Sequence, residues 1–434
     1  MIKKLQGELQ SKRRYPGVKI SYISNIFLAL IVIFLGAFVE YKFQYLSKYA
    51  RINEAAVDGS KESTQLAKIM AATVPVGKEN VNFDTFWEVW SILEKNYIDQ
   101  EKLDANKMVD GAIGGMVSSL EDPYTMYLSP KDNERSGQDL AGSFYGVGIE
   151  LGYIDGFLAA VAPLNGSPAA LAGVEAGDYI IKVKDTAKNV DEDSSKWSLT
   201  KAVDTIRGPK DSPVTLTLVR EGVDQPFEIT INRGEIVVES VTLEFVKHAG
   251  KRVAHITLSR FGERTSAEWD AIVTEILAQK DSLDGVVLDM RNNPGGFFDV
   301  SIDIASEFIE EGTVVSQKDR LIEQNYSARG QARLNDMQLE VLINRGSASA
   351  SEIVAGAVRD RFGAKLIGEN SFGKGTVQDR IILSNGGGLH VTVAKWLLPG
   401  GSWIHHEGIP VDIEVKANPD TPEDEQLLRA IEEI

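Results

Sequence analysis

Apolar and polar positions along the chain fall into successive regimes with different periods. Residues 20–39 carry no charge and are bounded by Lys19 and Glu40. As a helix, a run of that length spans about 30 Å, the thickness of a bilayer's hydrocarbon core. The stretch 41–79 is mixed, polar and weakly periodic. Beyond it Phe86, Trp90, Leu93 and Tyr97 recur at i, i+4, i+7 and i+11, which predicts one face of a helix. Thr85 and Glu88 suit a capping box at its start. A second helical run, 105–120, stops at Asp122-Pro123. From 142 to 233 the pattern becomes short strands punctuated by glycine, with one helical run at 199–206. From 234 to 416 strands and helices alternate: HITLSRF, a helix around 267–279, GVVLDM, a helix around 300–310, then a short strand at 341–343. Alternation of this kind predicts a sheet with helices packed on it, so the fold class is α/β and multidomain. The acidic end, 417–434, reads as a solvated terminal helix.

The composition narrows the function. A formal charge of −17 over 434 residues argues against a nucleic-acid partner, which needs a basic footprint. The chain has no cysteine, which removes thiol catalysis, disulfides and thiolate zinc sites. Lys3, Lys4, Lys12, Arg13, Arg14 and Lys19 precede the uncharged run, so the N-terminal flank is expected in the cytoplasm and everything after Glu40 outside. The competing reading is a cleavable signal peptide, because the fully apolar core, 26–39, is short. No A-x-A-like site follows it, which favours an uncleaved signal anchor.

The chemistry concentrates in 344–378, NRGSASASEIVAGAVRDRFGAKLIGENSFGKGTVQ. A serine cluster at a strand-to-helix corner stands at a helix N-terminus, where unpaired N–H groups and the dipole favour an oxyanion. Lys374 lies on a glycine-flanked turn, and a lysine buried against apolar neighbours can act as a general base. Together they suit serine–lysine hydrolysis, with Ser347, Ser349 and Ser351 all open as the nucleophile. Lys374, Thr376 and Gln378 at i, i+2 and i+4 of a strand would share one face, letting Gln378 orient the amine. The plainer alternative is a helix cap and a surface lysine. None of the five histidines has a spacing that ties it to the serines. His405, His406 and Glu407 look like ligands, but neighbouring strand residues point to opposite faces and no HExxH accompanies them, so no metal is expected.

These motifs resemble those of the carboxyl-terminal processing peptidases, or tail-specific proteases. That family carries a SASASE-type segment, a lysine 25 residues beyond the nucleophile in an FGKG turn and a glutamine four residues further on; laid on this chain, the pattern selects Ser349, Lys374 and Gln378. GAIGGMVSSLEDPYTMYLSP resembles the family's helical N-terminal region. FYGVGIEL (144–151) followed by GSPAALAGVEAGDYIIKV (166–183) resembles a PDZ domain in circularly permuted form. The resemblance implies that the corner Gly146, Val147, Gly148 aims N–H groups at a peptide's terminal carboxylate. Ile149 and Leu151 would flank the side-chain pocket, and the bound tail would add as a strand. The connector 185–197 is longer and more acidic than the family's usual one. VVLDMRNNPGGFF (286–298) matches a second signature, implying an oxyanion donor at Gly295 or Gly296 beside the Ala350 N–H. GIPVDIEV (408–415) departs from the family's usual G-I-x-P-D order.

The expected organisation follows: a basic cytoplasmic segment 1–19, a transmembrane signal anchor 20–40, a stalk 41–79, a helical region 80–141, a PDZ domain 142–233, a protease core 234–416 of the crotonase and Clp-protease β-β-α type, and the acidic helix 417–434. The implied function is a serine endopeptidase at the bacterial cell membrane, single-pass, with its catalytic part extracytoplasmic. It would act on exported or membrane-associated proteins with apolar C-termini and need no cofactor; homo-oligomerisation is left open. Arg207, in TIRG at the end of the 199–206 run, is the residue the resemblance implies for coupling the PDZ domain to the protease, against a plain helix-terminal arginine. The rival function is a catalytically silent PDZ scaffold at the membrane.

Overall fold

Alternating strands and helices in 234–416 build the sheet that carries the chemistry. The computed structural model describes residues 81–418 and 421–434. The segments expected as cytoplasmic tail, signal anchor and stalk (1–19, 20–40, 41–79) lie outside the described residues. Among those described, no helix is long and apolar enough to cross a membrane. The chain divides into two units, 1–103 and 104–434.

In the first unit the aromatic repeat forms the helix Asp84–Asn96, with Phe86 packing edge-on against Trp87 at 5.0 Å. The capping box is not there. The helix starts one residue before Thr85, and the Asp84 N–H donates to Asn82 Oδ1 at 2.6 Å instead.

The second unit holds a six-stranded sheet in the order Val241–His248, Lys251–Leu258, Gly285–Asp289, Gln338–Ile343, Lys365–Gly368, Ile413–Glu414. The first pair is antiparallel and the rest are parallel. All five residues of Gly285–Asp289 are buried, as befits a central strand covered on both faces. The helix expected around 267–279 runs Thr265–Gln279, while that expected at 300–310 is shorter, Phe298–Ala305. A second, antiparallel sheet joins Met126–Leu128, Gly388–Leu397, Thr313–Lys318 and Glu323–Ser327, with Thr376–Ile382 also paired to Gly388–Leu397. The helix Ala350–Phe362 is buried from residue 350 to 358 in a core that draws on both sheets. A Cβ on its Gly356 would lie 2.1 Å from Leu398 Cδ2, so the helix is seated too closely for any side chain there.

Residues 142–233 leave and rejoin this core through a two-stranded ribbon, Ser143–Gly146 against Gly234–Val237. Between them lies an antiparallel sheet in the order Ile149–Ile154, Phe157–Pro163, Tyr179–Asp185, Pro213–Val219, Phe227–Asn232, around its own apolar core of Leu158, Ile180, Val183, Leu216 and Leu218. Ile149–Ile154 is the edge strand, and the helix Leu199–Ile206 matches its expected bounds. The long connector contains a strand of its own, Val190–Asp193, paired with Tyr179–Asp185.

The C-terminal helix corrects an expectation. Glu425–Glu433 is not simply solvated: Ala430 and Ile431 are fully buried against Val253, Val287, Leu342 and Ile367 on the sheet. Its acidic residues face outward from an amphipathic stripe that a charge count hides. Ile431→Ala should therefore cost about 2–5 kcal/mol in chemical denaturation, where a solvated position would change stability by under about 0.5 kcal/mol.

Candidate active site

The strand Gln338–Ile343 ends in a turn that delivers three serines to the start of the helix Ala350–Phe362, and packing separates their roles. Ser347 is fully buried; its Oγ donates to Met290 O at 2.8 Å and accepts the Asn344 N–H at 2.9 Å. Ser351, also fully buried, donates to Asn293 O at 2.9 Å. Ser349 is half-buried and lines a cleft of about 530 Å³. Its backbone sits at φ 55°, ψ −111°, a conformation costly for a non-glycine residue and characteristic of functional turns.

The same cleft is lined by Lys374, Gln378, Gly295, Gly296 and Ala350, so the whole expected catalytic set converges on one site. Lys374 and Gln378 reach it differently from the expectation. The strand begins at Thr376, leaving Lys374 on the turn before it, and a bulge separates Val377 from Gln378. The Gln378 Nε2 donates to Thr376 Oγ1 (2.9 Å) and Thr392 Oγ1 (3.1 Å) rather than to the base. Those two bonds fix the amide so that its Oε1 remains the open acceptor. Lys374 is half-buried beside the Tyr124 ring, whose centroid is 5.3 Å from Nζ. Burial holds the Lys374 pKa below the ordinary lysine value, outweighing the Glu352 and Asp122 carboxylates, which favour the ammonium.

The glycine turn is pressed against Ser349. A Cβ on Gly295, at φ 99°, would meet Ala348 O at 2.8 Å and Ser349 Cβ at 3.0 Å. Of the expected donors, the Gly295 N–H is already committed to Asn293 Oδ1 at 2.9 Å. The N–H groups of Gly296 and Ala350 have no partner among the described residues. This narrows the expected oxyanion pair to those two.

Glu352 was missed in the sequence as a functional residue. Fully buried, its carboxylate accepts from Ser371 Oγ and the Gly373 N–H (both 2.6 Å) on one oxygen, and from the N–H groups of Ser349 (2.7 Å) and Lys374 (2.9 Å) on the other. Burial pushes its pKa up, and the four donors oppose that by favouring the ionised form. The signal was present, since Ser349-x-x-Glu352 is a capping-box spacing. His390 also lines the cleft. Its Nε2 is buried without a partner among the described residues, and burial, then Arg380 and Lys374, depress its pKa.

The helix Pro130–Ala141 forms one wall of the cleft through Arg135, Ser136 and Leu140. It is also tied to the inserted sheet, because Asp204 pairs with Lys131 at 2.7 Å and with Arg135. At the insert's corner the Val147 and Gly148 carbonyls are taken by the N–H groups of Ala169 (2.8 Å) and Leu164 (2.9 Å), while their own N–H groups have no partner among the described residues. Gly146 is held in the ribbon, Val147 is buried, and Ile149 and Leu151 pack partly exposed at the edge strand. Arg207 is the C-cap residue of its helix, its N–H donating to Val203 O at 2.9 Å, but its guanidinium does not hold the last carbonyls. Lys188 Nζ does so, donating to the carbonyls of Asp204 (2.6 Å), Thr205 (2.9 Å) and Arg207, while the Arg207 guanidinium stacks over Phe144 at 3.8 Å. His405 stacks on Trp403 and lies against the tilted ring of His406, and among the described residues no group of three or more His, Asp or Glu side chains is arranged to hold a metal.

Known proteins are similar to this chain in sequence. The model of peptidase family S41 matches residues 252–415, and that of the activating protease CtpB N-terminal domain matches 33–132. The chain is 32% identical over 372 residues to the carboxy-terminal processing protease CtpB of Bacillus subtilis, covering 85% of this chain and 74% of that protein. It is 37% identical over 357 residues to a carboxy-terminal-processing protease of Bartonella bacilliformis, covering 80% and 79%. Among solved structures, the photosystem II D1 C-terminal processing protease aligns at 29% identity and a TM-score of 0.45, over 80% of this chain and 96% of that one. The PDZ domain of a carboxy-terminal protease from Vibrio cholerae, in complex with peptide, aligns at 33% identity and a TM-score of 0.21, over 22% of this chain and 99% of that one.

The three serines should separate experimentally. Ser347→Ala and Ser351→Ala each leave buried polar partners unpaired and should lose about 1–3 kcal/mol of stability while keeping most peptidase activity below their melting points. Ser349→Ala should retain stability and lose activity. Denaturation curves set beside cleavage of an unfolded test protein check both.

Proposed function

The chain belongs to peptidase family S41, the carboxy-terminal processing serine proteases, and on that footing we propose that it cuts exported polypeptides near their C-termini with Ser349 as nucleophile and Lys374 as base. The neutral Lys374 amine takes the Ser349 proton as Oγ attacks the scissile carbonyl. The tetrahedral oxyanion lies against the N–H groups of Ala350 and Gly296. Lys374 returns the proton to the departing amine, and water then hydrolyses the acyl-enzyme. Gln378 presents Oε1 to the lysine amine and keeps it turned toward the serine. The observation that carries this reading is the convergence of Ser349, Lys374, Gln378 and two open N–H donors on one cleft.

The inserted sheet acts as a PDZ domain. A substrate tail adds to the free edge of Ile149–Ile154, with its carboxylate on the open N–H groups of Val147 and Gly148 and its apolar side chain between that edge and the helix Leu199–Ile206. The segment 20–40, uncharged through Val39, anchors the enzyme so that cleavage occurs outside the cytoplasm. The rival reading, a silent scaffold, has no use for a desolvated lysine beside a strained serine. A second catalytic reading rests on His390, which shares the cleft and could serve as base instead of Lys374.

The pH dependence separates the two bases. Burial lowers the Lys374 pKa, so the catalytic neutral form grows as pH rises, and the acid limb of kcat should have its midpoint below the ordinary lysine value of 10.5. Lys374→Arg should be inactive at every pH, since a guanidinium stays protonated, and His390→Gln should keep both activity and the limb. An active Lys374→Arg enzyme would transfer the role to His390.

Arg207 couples the PDZ domain to the protease from its place on Phe144, a residue of the ribbon that joins the insert to the core. Arg207→Ala should abolish activation by apolar-tailed peptides without weakening their binding, compared by calorimetry and by cleavage of an untailed reporter. Unchanged activation would remove Arg207 from the coupling.

A further inference from the structure

The catalytic lysine stands on two peptide groups outside the strand ladder, and their polar atoms are satisfied mostly by side chains. The Lys374 N–H goes to Glu352 at 2.9 Å, and its carbonyl accepts from Trp396 Nε1 at 2.9 Å. The Gly375 carbonyl accepts from Trp403 Nε1 at 2.7 Å and from the Trp396 N–H at 3.2 Å. The fourth group, the Gly375 N–H, donates to His405 Nδ1 at 3.3 Å. His405 is itself held as a plane: Trp403 stacks on it at 4.8 Å and 14°, and the Tyr124 ring lies 5.6 Å away on the way to Lys374. Lys395 Nζ covers the far face of this stack, 3.8 Å from the Trp403 centroid. The closeness is such that a Cβ on Gly375 would lie 2.6 Å from Trp403 Nε1 and 3.1 Å from His405 Cβ.

We propose that His405 is a positioning residue for the base: by accepting the Gly375 N–H it sets the rotation of the peptide from which the Lys374 side chain departs. The inference rests on the dyad reading of Ser349 and Lys374. An acceptor is required, so the Nδ1 lone pair faces Gly375 and the ring proton sits on Nε2. The Lys374 amine is four carbons from this peptide and makes no hydrogen bond here among the described residues, so a small peptide rotation is amplified at Nζ and decides whether it meets Gln378 Oε1 and Ser349. A displacement of about 1 Å between reacting groups can cost on the order of 10²-fold in rate. His405 thus acts through Gly375 and touches neither substrate nor nucleophile.

The test compares two replacements in the full-length enzyme. His405→Phe keeps a stacking ring and removes the acceptor; His405→Asn removes the stack and places Oδ1 where Nδ1 was. The expected result is a fall in kcat of about 10-fold or more for His405→Phe, with KM within about twofold of wild type. His405→Asn should recover most of the loss. Trp403→Phe, which deletes the donor to the Gly375 carbonyl while keeping a stacking ring, should lower kcat in the same KM-independent way and supplies the answer if His405→Phe does not fold. Wild-type kcat in His405→Phe, or equal impairment of the Phe and Asn variants, overturns the proposal. Lys374→Arg, measured alongside, keeps the two ideas apart. If it is active the dyad reading falls, whereas if it is inactive and His405→Phe is unimpaired, only the role of His405 falls.

Discussion

Glu352 fastens together two turns that the sheet already brings side by side, where the Phe372 N–H donates to Ser347 O at 3.0 Å. One oxygen holds the N–H groups of Ser349 and Lys374, and the other holds Ser371 and Gly373, so a single rigid carboxylate spans the nucleophile's turn and the base's turn. Its burial makes the arrangement stiff: in a dry site each of those bonds is charge-assisted, and losing any one leaves an acceptor unpaired. The strained backbone of Ser349 can persist because this clamp, the packed helix behind it and the glycine turn in front over-determine its position. The helix Ala350–Phe362 could not be seated so deeply without Gly356 admitting Leu398.

The clamp creates an electrostatic conflict that the site resolves by desolvation. A carboxylate near Lys374 favours the ammonium, and Asp122 adds to that, yet burial prevails and the amine titrates below its ordinary value. The compromise is workable because three backbone N–H groups and the Ser371 hydroxyl occupy the lone pairs of Glu352, leaving none for the amine. Gln378 resolves the remaining geometry. Its amide nitrogen is spent on two threonines, and its oxygen is what the lysine can meet. Indole and imidazole groups of Trp396, Trp403 and His405 complete the support beneath Lys374 and Gly375.

The insert is attached so that it can influence this site without contributing to its chemistry. Its two ends form one ribbon, which confines it to a single hinge-like junction with the core. The helix Pro130–Ala141 then touches both regions, pairing with Asp204 on one side and lining the cleft on the other. Asn133 of that helix also receives the Arg380 guanidinium, two residues beyond Gln378. The same helix thus links the insert to the strand that carries Gln378, the contact through which the proposed coupling would run.

Periodicity along the chain was enough for the α/β class and for the helix Leu199–Ile206, because amphipathic spacing is a local property. The serine cluster, the lysine and the glutamine lie in one short stretch, but local chemistry left Ser347, Ser349 and Ser351 open and only the family resemblance selected Ser349. What local pattern could not decide was which groups stay available once everything else is paired. Ser347 and Ser351 differ from Ser349 in being consumed by the Met290 and Asn293 carbonyls, more than fifty residues away in the chain. Gly295 differs from Gly296 because an asparagine two residues earlier takes its N–H. The amphipathic burial of the acidic terminal helix depends on strands far upstream, and Glu352 reads as a helix cap until the FGKG turn folds onto it. Sequence determined the inventory of reactive groups; tertiary structure decided which remained unpaired, desolvated and facing one another, because hydrogen-bond satisfaction and burial are sums over the whole fold.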